Sequence, residues 1–553
     1  MTMGTTFKQG VAVSPALLLA LGLPAVAQVA PDAGRTLQMQ QVPLEPPKPS
    51  VGLKIMATPV TAPAAGGPAV RLKSFSFSGN SQISAQALGT LLADAVDTDL
   101  DMAQLWALAA RVTAHYQQAG FPFARAILPP QQLQDGALRI EVIEGRYGQL
   151  VAKGSPALAA GVQNFLRPLV PGAVIEGRLL ERTVLIVDDQ PGVKATPVMR
   201  PGQQAGTGDL DLLVEPTPRL QGSVGLDNQG NRYTGEYQLH ADGRIASPFF
   251  FGDQLKLQLM ATDRRLWTGR LGYGLPLGYS GMRGHAEYAL TRYQLGREFS
   301  QLGASGTAKT AIAGLSYPAL RSQNLNLTLD ASLAHKRLHD EESSAATSRQ
   351  KHSVALPLSA NFDARDAVLG GAVSYGSLVL TPGRLSLDPT LLTNDQGTAQ
   401  TAGRFDKLTL ELARIQALSE QSTLFGRVSA QWASKNLDSS EGFGPGGPNG
   451  VRAYPAGEAY GNEGWLVQAE WRWRVADFSP YAFYDASHTR INARPWAPVV
   501  NGRDLAGLGL GLRAQVQRLS IDASVARSVQ GGEATSTKSG GRSRVWVSVA
   551  MAL

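Results

Sequence analysis

From residue 220 to residue 553 the chain runs in short segments of alternating polarity, and the 3.6-residue period of a helix is absent. In Leu255-Lys256-Leu257-Gln258-Leu259 and in Trp471-Arg472-Trp473-Arg474, neighbours differ in polarity while second neighbours match. Side chains alternate across a strand, so both tryptophans face one way and both arginines the other. A soluble sheet could use such faces as core and wet surface. A membrane barrel uses them as a lipid face with an aromatic girdle and a water-filled lumen.

The number of segments favours the barrel. Alternation and turn residues mark starts near Leu220, Thr234, Asp253, Leu266, Met282, Gly306, Asn324, Lys351, Leu369, Gly403, Thr423, Glu463, Pro480, Arg503, Leu519 and Arg544. Roughly sixteen segments is an even number, and about 21 residues per strand and loop accommodate strands of about 9–11 residues. Val545, Val547, Val549, Met551 and Leu553 share one face of the last segment, which can close against the first. Closure matters because an open edge in lipid would leave amides without partners at several kcal/mol each. The expected fold is a membrane all-β protein, a 16-stranded transmembrane β-barrel preceded by two α/β units.

Residues 1–27 read as a signal peptide: Lys8, an uncharged stretch over 11–26, then Ala25-Val26-Ala27 before Gln28. Residues 28–69 combine a helix-compatible stretch with a Pro-rich linker. The next segment, 70–146, has the order β-α-α-β-β. Ser84 and Asp101 cap its helices, Gly120 ends the second, and Asp135-Gly136 forms a turn. A second unit of similar order occupies 147–217, and the barrel 218–553.

Composition limits the chemistry. The chain has no cysteine, which excludes thiol catalysis and Cys-based zinc sites. Its seven histidines show no metal-ligand spacing, and there is no Walker pattern, so no cofactor is expected. The formal charge of +7 comes from Lys and Arg spread along the chain, so nucleic acid is not an expected partner. Ser487 and His488 are adjacent, but strand neighbours point to opposite faces, which argues against a hydrolase.

One long stretch cannot pair as a strand. Between Trp432 and Trp465 lies Gly442-Phe443-Gly444-Pro445-Gly446-Gly447-Pro448-Asn449-Gly450-Val451-Arg452-Ala453-Tyr454. Val451 and Tyr454 can anchor it by packing, with Arg452 between them. Downstream, Phe483-Tyr484-Asp485-Ala486-Ser487 puts Asp485 on the face opposite Tyr484. An Arg on the loop and an Asp facing the lumen could form a charge-assisted pair.

These residues resemble the two-partner secretion transporters (TpsB proteins, the ShlB/FhaC/HecB haemolysin secretion and activation group) of the outer-membrane assembly-factor superfamily. Val451-Arg452-Ala453-Tyr454 resembles the family's VRGY loop motif, and Phe483, Asp485 and Ser487 its FxDxG strand motif. Leu226-Asp227-Asn228-Gln229-Gly230 resembles the usual first barrel strand. The resemblance implies an N-terminal helix, two POTRA domains in the periplasm, a barrel in the outer membrane of a Gram-negative cell, and a loop folded into the lumen whose Arg452 pairs with Asp485. Ala453 and Ser487 replace motif glycines, and Leu553 stands where an aromatic residue is common. If the first glycine needed a positive φ, Ala453 would be strained.

The function so implied is type V, two-partner secretion: export of a large TpsA-type exoprotein, captured unfolded by the POTRA domains and passed through the lumen. Outer-membrane lipid and, during biogenesis, the barrel assembly machinery are the other expected partners. The expected mechanism has the N-terminal helix plug the lumen at rest, the 432–465 loop prop it, and client binding at 70–216 release the helix. The alternative is an assembly factor that inserts other barrels. A passive porin would have no use for two α/β units.

Overall fold

The computed structural model describes residues 30–40, 44, 46–47, 66, 68–498, 500–536 and 541–553. The expected signal peptide and most of the expected linker lie outside these residues. Among the described residues, no helix is long and apolar enough to cross a membrane.

The first α/β unit has a sheet in the order Ser74–Ser78, Ala137–Ile143, Arg125–Ile127, with the first pair parallel and the second antiparallel. Its long helix, Met102–Gln118, starts at a capping box: Asp101 accepts from the Gln104 amide, and the Gln104 side chain accepts from the Asp101 amide. Leu105, Leu108, Ala109, Val112 and Tyr116 form the buried stripe of this helix and pack on Leu138, Ile140 and Val142. The second unit repeats the plan. Arg146–Lys153 and Val193–Pro201 flank Thr207–Pro216. Helices Pro156–Gln163 and Gly177–Asp188 cover the sheet.

The rest is a closed antiparallel barrel of sixteen strands. One strand is broken in two by Leu356-Pro357, as a residue without an N–H cannot continue a ladder. Both halves, Thr347–Ala355 and Leu358–Asp366, pair with the same neighbours, Leu325–Glu342 and Ala372–Leu387. Every strand begins within a few residues of its expected start. The cylinder closes where Ser543–Ala552 meets Leu220–Asp227, from Ser548 opposite Asp227 to Ala552 opposite Ser223. Asn228 extends this short seam: its amide and side-chain N–H bond the carbonyls of Val547 and Val545, and its Oδ1 accepts from the Val547 amide.

The outward face carries exposed Leu257, Leu259, Leu508, Leu510, Leu512, Val545 and Val547. Trp471 and Trp473 pack against each other with tilted rings on the outward side, while Arg472 turns inward to Glu470. The second α/β unit docks on one rim. Phe165 packs edge-on against Phe251 and Tyr279, Asp189 pairs with Arg321 at 2.7 Å, and Arg283 donates to the Gln190 side chain at 3.1 Å. The longer connections, including residues 434–462, lie at the far rim.

Candidate functional site inside the barrel lumen

The 434–462 loop turns inward, with Val451, Ala453 and Tyr454 buried against Leu466, Tyr481, Phe483, Leu505 and Ala526 of the barrel wall. This apolar contact holds Arg452 against the wall. Its guanidinium grips both oxygens of Asp485, Nε to Oδ2 at 2.8 Å and Nη2 to Oδ1 at 2.6 Å, and its backbone N–H adds a third bond at 3.1 Å. Its remaining nitrogen, Nη1, donates to Glu470 at 2.5 Å. The group lies 3.6 Å above the Phe483 ring centroid. Arg452 is 5% exposed and Asp485 0%, so the pair has left water and the planar bidentate fit matters.

Strand register explains why these residues converge. Glu463–Trp473 pairs with Phe478–Arg490 so that Gln468 faces Asp485 and Glu470 faces Phe483. Asp485, Phe483 and Ser487 thus share the lumen face, and Tyr484 points outward at 48% exposure. Glu470 was not singled out from sequence, since an inward Glu on a barrel strand looks like any lumen polar residue. It also holds Arg472 at 2.6 Å and Arg513 at 3.1 Å, and Arg513 reaches Asp522 at 2.8 Å. Three arginines therefore meet three carboxylates along the wall. Trp546, also missed, donates its indole N–H to the Arg452 carbonyl at 2.7 Å and ties the loop to the last strand.

The two departures from the motifs have separate outcomes. Ala453 is not among the residues with positive φ, so the anticipated strain is absent. Its methyl instead faces Gly507, where an added Cβ would come within 2.5 Å of the Ala453 Cβ. The close approach is thus made possible by Gly507 on the wall. Ser487 is buried opposite Leu466, and its hydroxyl has no hydrogen-bond partner among the described residues. His488, on the other face, bonds Asp504 at 2.7 Å.

Further along, the loop is fastened to the last hairpin. Tyr454 donates to the carbonyls of Gln530 and Gly532. Fully buried Glu458 accepts from the amides and hydroxyls of Thr535 and Ser536 and pairs with Arg503 at 2.8 Å.

The start of the loop meets the N-terminal helix α1 (Ala33–Gln38), which lies in the lumen. Asp32 caps α1 and also pairs with Lys351 at 2.9 Å and the Ser439 hydroxyl at 2.6 Å. Lys351 is shared with Asp438 at 2.7 Å. The Ala33 amide donates to Asp340 at 2.8 Å, and Arg35 lies over the Tyr460 ring and donates to the Gly457 carbonyl. Glu441 is gripped by Lys336 at 2.5 Å and Lys407 at 2.7 Å. Gly34 lies so close to Ser439 and Ser440 that no Cβ would fit. No local sequence signal could have linked Asp32 to Lys351, some three hundred positions away.

The likeness to known proteins agrees with this architecture. The family model "Haemolysin secretion/activation protein ShlB/FhaC/HecB" matches residues 206–514, more than half of the chain. The model "POTRA domain, ShlB-type" matches residues 70–145. The chain is 28% identical to the heme/hemopexin transporter protein HuxB of Haemophilus influenzae over 465 residues, 81% of each chain. It is 25% identical to the outer membrane transporter CdiB of Escherichia coli over 442 residues, 77% of this chain and 73% of that one. The solved structure of CdiB from Escherichia coli superposes with a TM-score of 0.72 at 22% identity, covering 91% of this chain and 94% of the other. The chain belongs to the haemolysin secretion/activation protein ShlB/FhaC/HecB family and is an outer-membrane transporter of two-partner secretion, its POTRA domains in the periplasm.

Proposed function

We propose that residues 70–216 capture an extended, unfolded exoprotein at their sheet edges, that capture frees α1 from the lumen, and that the client then crosses as an extended chain. The outer strand Ser74–Ser78 is the best-suited edge: it contains no proline, whereas Val193–Pro201 contains two. Main-chain bonds to such an edge give affinity without demanding one client sequence. The Arg452–Asp485 contact acts as a lock that keeps the 434–462 loop folded along the wall during passage. Folding of the client outside supplies the driving force, and the chain itself catalyses no reaction. The outward apolar face takes lipid as its partner, and the barrel assembly machinery inserts the chain.

The observation that carries this reading is the division of labour in the lumen. α1 and the start of the loop share lysine contacts to the wall, whereas the loop tip has its own buried arginine lock. Photo-crosslinking from Ser76, exposed on the outer strand, tests the reading in cells that co-produce a large TpsA-type exoprotein. The expected result is capture of that protein at Ser76 when export is arrested, and its appearance in the medium only when the transporter is present. Export that continues without the transporter would refute the reading. Failure of other barrels to insert when the transporter is removed would point instead to an assembly factor.

A further inference from the structure

A cavity of about 430 Å³ opens at the far rim, which is the extracellular one because the POTRA domains hold the other. It lies between the 388–402, 434–462 and 491–501 connections, and Arg404, Lys435, Arg494 and Trp496 line it. No acidic residue does so among the described residues. The Lys435 ammonium donates to the Ala402 carbonyl at 2.7 Å and the Arg494 guanidinium to the Ser434 carbonyl at 2.6 Å, and neither forms an ion pair among the described residues. Asp395, the carboxylate that acts on Lys435, spends both oxygens on Thr401 and the Ala402 amide. Burial, opposed by Asp395 and aided by Arg494, pushes the Lys435 ammonium below its ordinary pKa.

Arg404 also belongs to the outward face. Its ladder partner is Arg384, and both are exposed. The neighbouring Leu385 and Phe405 are buried on the inward side, so the two arginines point together toward the membrane. Like charges directly opposite in a sheet repel. Asp406, two residues along the same face as Arg404, forms no ion pair with either among the described residues. Below them on the same face, Leu378 and Leu380 are exposed as a lipid-facing surface must be. The arginines therefore sit at the level of the outer-leaflet headgroups, beside a half-exposed indole, Trp496.

We propose that this rim binds a phosphorylated sugar headgroup of an outer-leaflet glycolipid. Arg384 and Arg404 would hold a phosphate between them, and Lys435 and Arg494 would take a second anionic group inside the cavity. The sugar ring would rest on Trp496. Arginine matches phosphate geometry bidentately, and a cavity of this size is ample for a hexose with its phosphate.

The test uses the purified full-length transporter and native mass spectrometry with three probes: bis-phosphorylated lipid A, the same lipid A without its phosphates, and inorganic phosphate. The wild type should retain the bis-phosphorylated lipid and not the phosphate-free one, and equimolar inorganic phosphate should not displace it. Arg404→Gln, which removes no side-chain hydrogen bond among the described residues, should weaken retention about tenfold. Arg384→Gln with Arg404→Gln should abolish it, while the unboiled barrel keeps its folded mobility on a gel. Equal retention by Arg404→Gln, or equal retention of the phosphate-free lipid, would overturn the proposal. Displacement by equimolar phosphate would overturn the glycolipid assignment.

Discussion

The lumen contains two sets of charged contacts built on different cations, arginine in one and lysine in the other. At the loop tip, one arginine is clamped by Asp485 and Glu470, stacked on Phe483 and surrounded by apolar packing. At the start of the loop, Lys336, Lys351 and Lys407 meet Asp32, Asp438 and Glu441, with lysine side chains 11–16% exposed. A lysine is a flexible point charge that can trade partners, while a guanidinium in a bidentate fit cannot turn without losing several bonds together. Lys351 serves two carboxylates, one on α1 and one on the loop, so α1 can leave while Asp438 keeps its partner. On the mechanism proposed above, the first set is a fixed anchor and the second a releasable one.

The largest effect should come from breaking the fixed anchor. Removing one partner of a buried pair costs about 3–5 kcal/mol, because the other charge stays buried alone. Arg452→Ala or Asp485→Ala should reduce export to background while the barrel still inserts, checked by exoprotein in the medium and by heat-modifiable gel mobility. The 434–462 loop should then become accessible to protease. Arg452→Lys should fail as well, since an ammonium cannot span Asp485 and Glu470 together. Normal export by both alanine variants would remove the distinction between the anchors.

At the releasable anchor the expected effect is smaller and opposite in kind. Lys351→Met removes hydrogen bonds to charged groups worth about 1.5–3 kcal/mol and should free α1 without unseating the loop tip. Conductance in planar bilayers should rise while export continues. Salt sharpens the contrast: from 0.1 to 1 M the Debye length falls from about 10 Å to about 3 Å, which weakens partly wet pairs far more than buried ones. High salt should therefore raise wild-type conductance as Lys351→Met does. Conductance that stays low in Lys351→Met would mean that α1 is held by something other than this lysine.

A third change probes the packing behind the fixed anchor. Gly507→Ala would drive a methyl into Ala453, and overpacking of this order costs about 1–3 kcal/mol. Export should fall partially. Adding Ala453→Gly should restore most of it, because the tightest contact, 2.5 Å, is between the two methyls. A cycle in which the two changes simply add would show that the contact carries no coupling.

How much of this was legible in the sequence depended on whether the signal was local. Period-two alternation exposes strands one at a time, which is why the segment starting near Leu519 and the loop around Gly442–Tyr454 could be read directly. Asp101 announced a helix start for the same reason. The Arg452–Asp485 pair was open from the residues as a loop arginine and a lumen-facing aspartate, and the resemblance of two short motifs singled it out. Glu470 and Trp546 were not, because each reaches Arg452 through strand pairing and barrel closure, which alternation leaves undefined. The contacts of α1 were least legible of all. A six-residue helix has almost no pattern, and its partners come from strands far along the chain.

The smallest effect lies outside the lumen, where a single buried carboxylate replaces a network. Glu144, 3% exposed, closes the end of the first POTRA sheet. It accepts from the Ser81 amide at 2.6 Å, the Ser81 hydroxyl at 2.5 Å, the Gln82 amide at 2.7 Å and the Tyr116 hydroxyl at 3.1 Å, with Arg146 at 3.5 Å. Burial raises its pKa, but the hydrogen bonds from Ser81, Gln82 and Tyr116 outweigh it and hold the group below the ordinary 4.5. A carboxyl depressed by folding contributes stability that is complete above its unfolded pKa and disappears as pH falls through the folded one. Hydrogen exchange at Ser81 and Gln82, corrected for intrinsic rates, should therefore be slow at neutral pH and quicken as the pH falls below 4.5. Glu144→Gln, which keeps one acceptor oxygen, should cost about 1 kcal/mol at neutral pH and flatten the profile. A wild-type profile already flat across that range would mean that Glu144 closes the turn by shape and not by its charge.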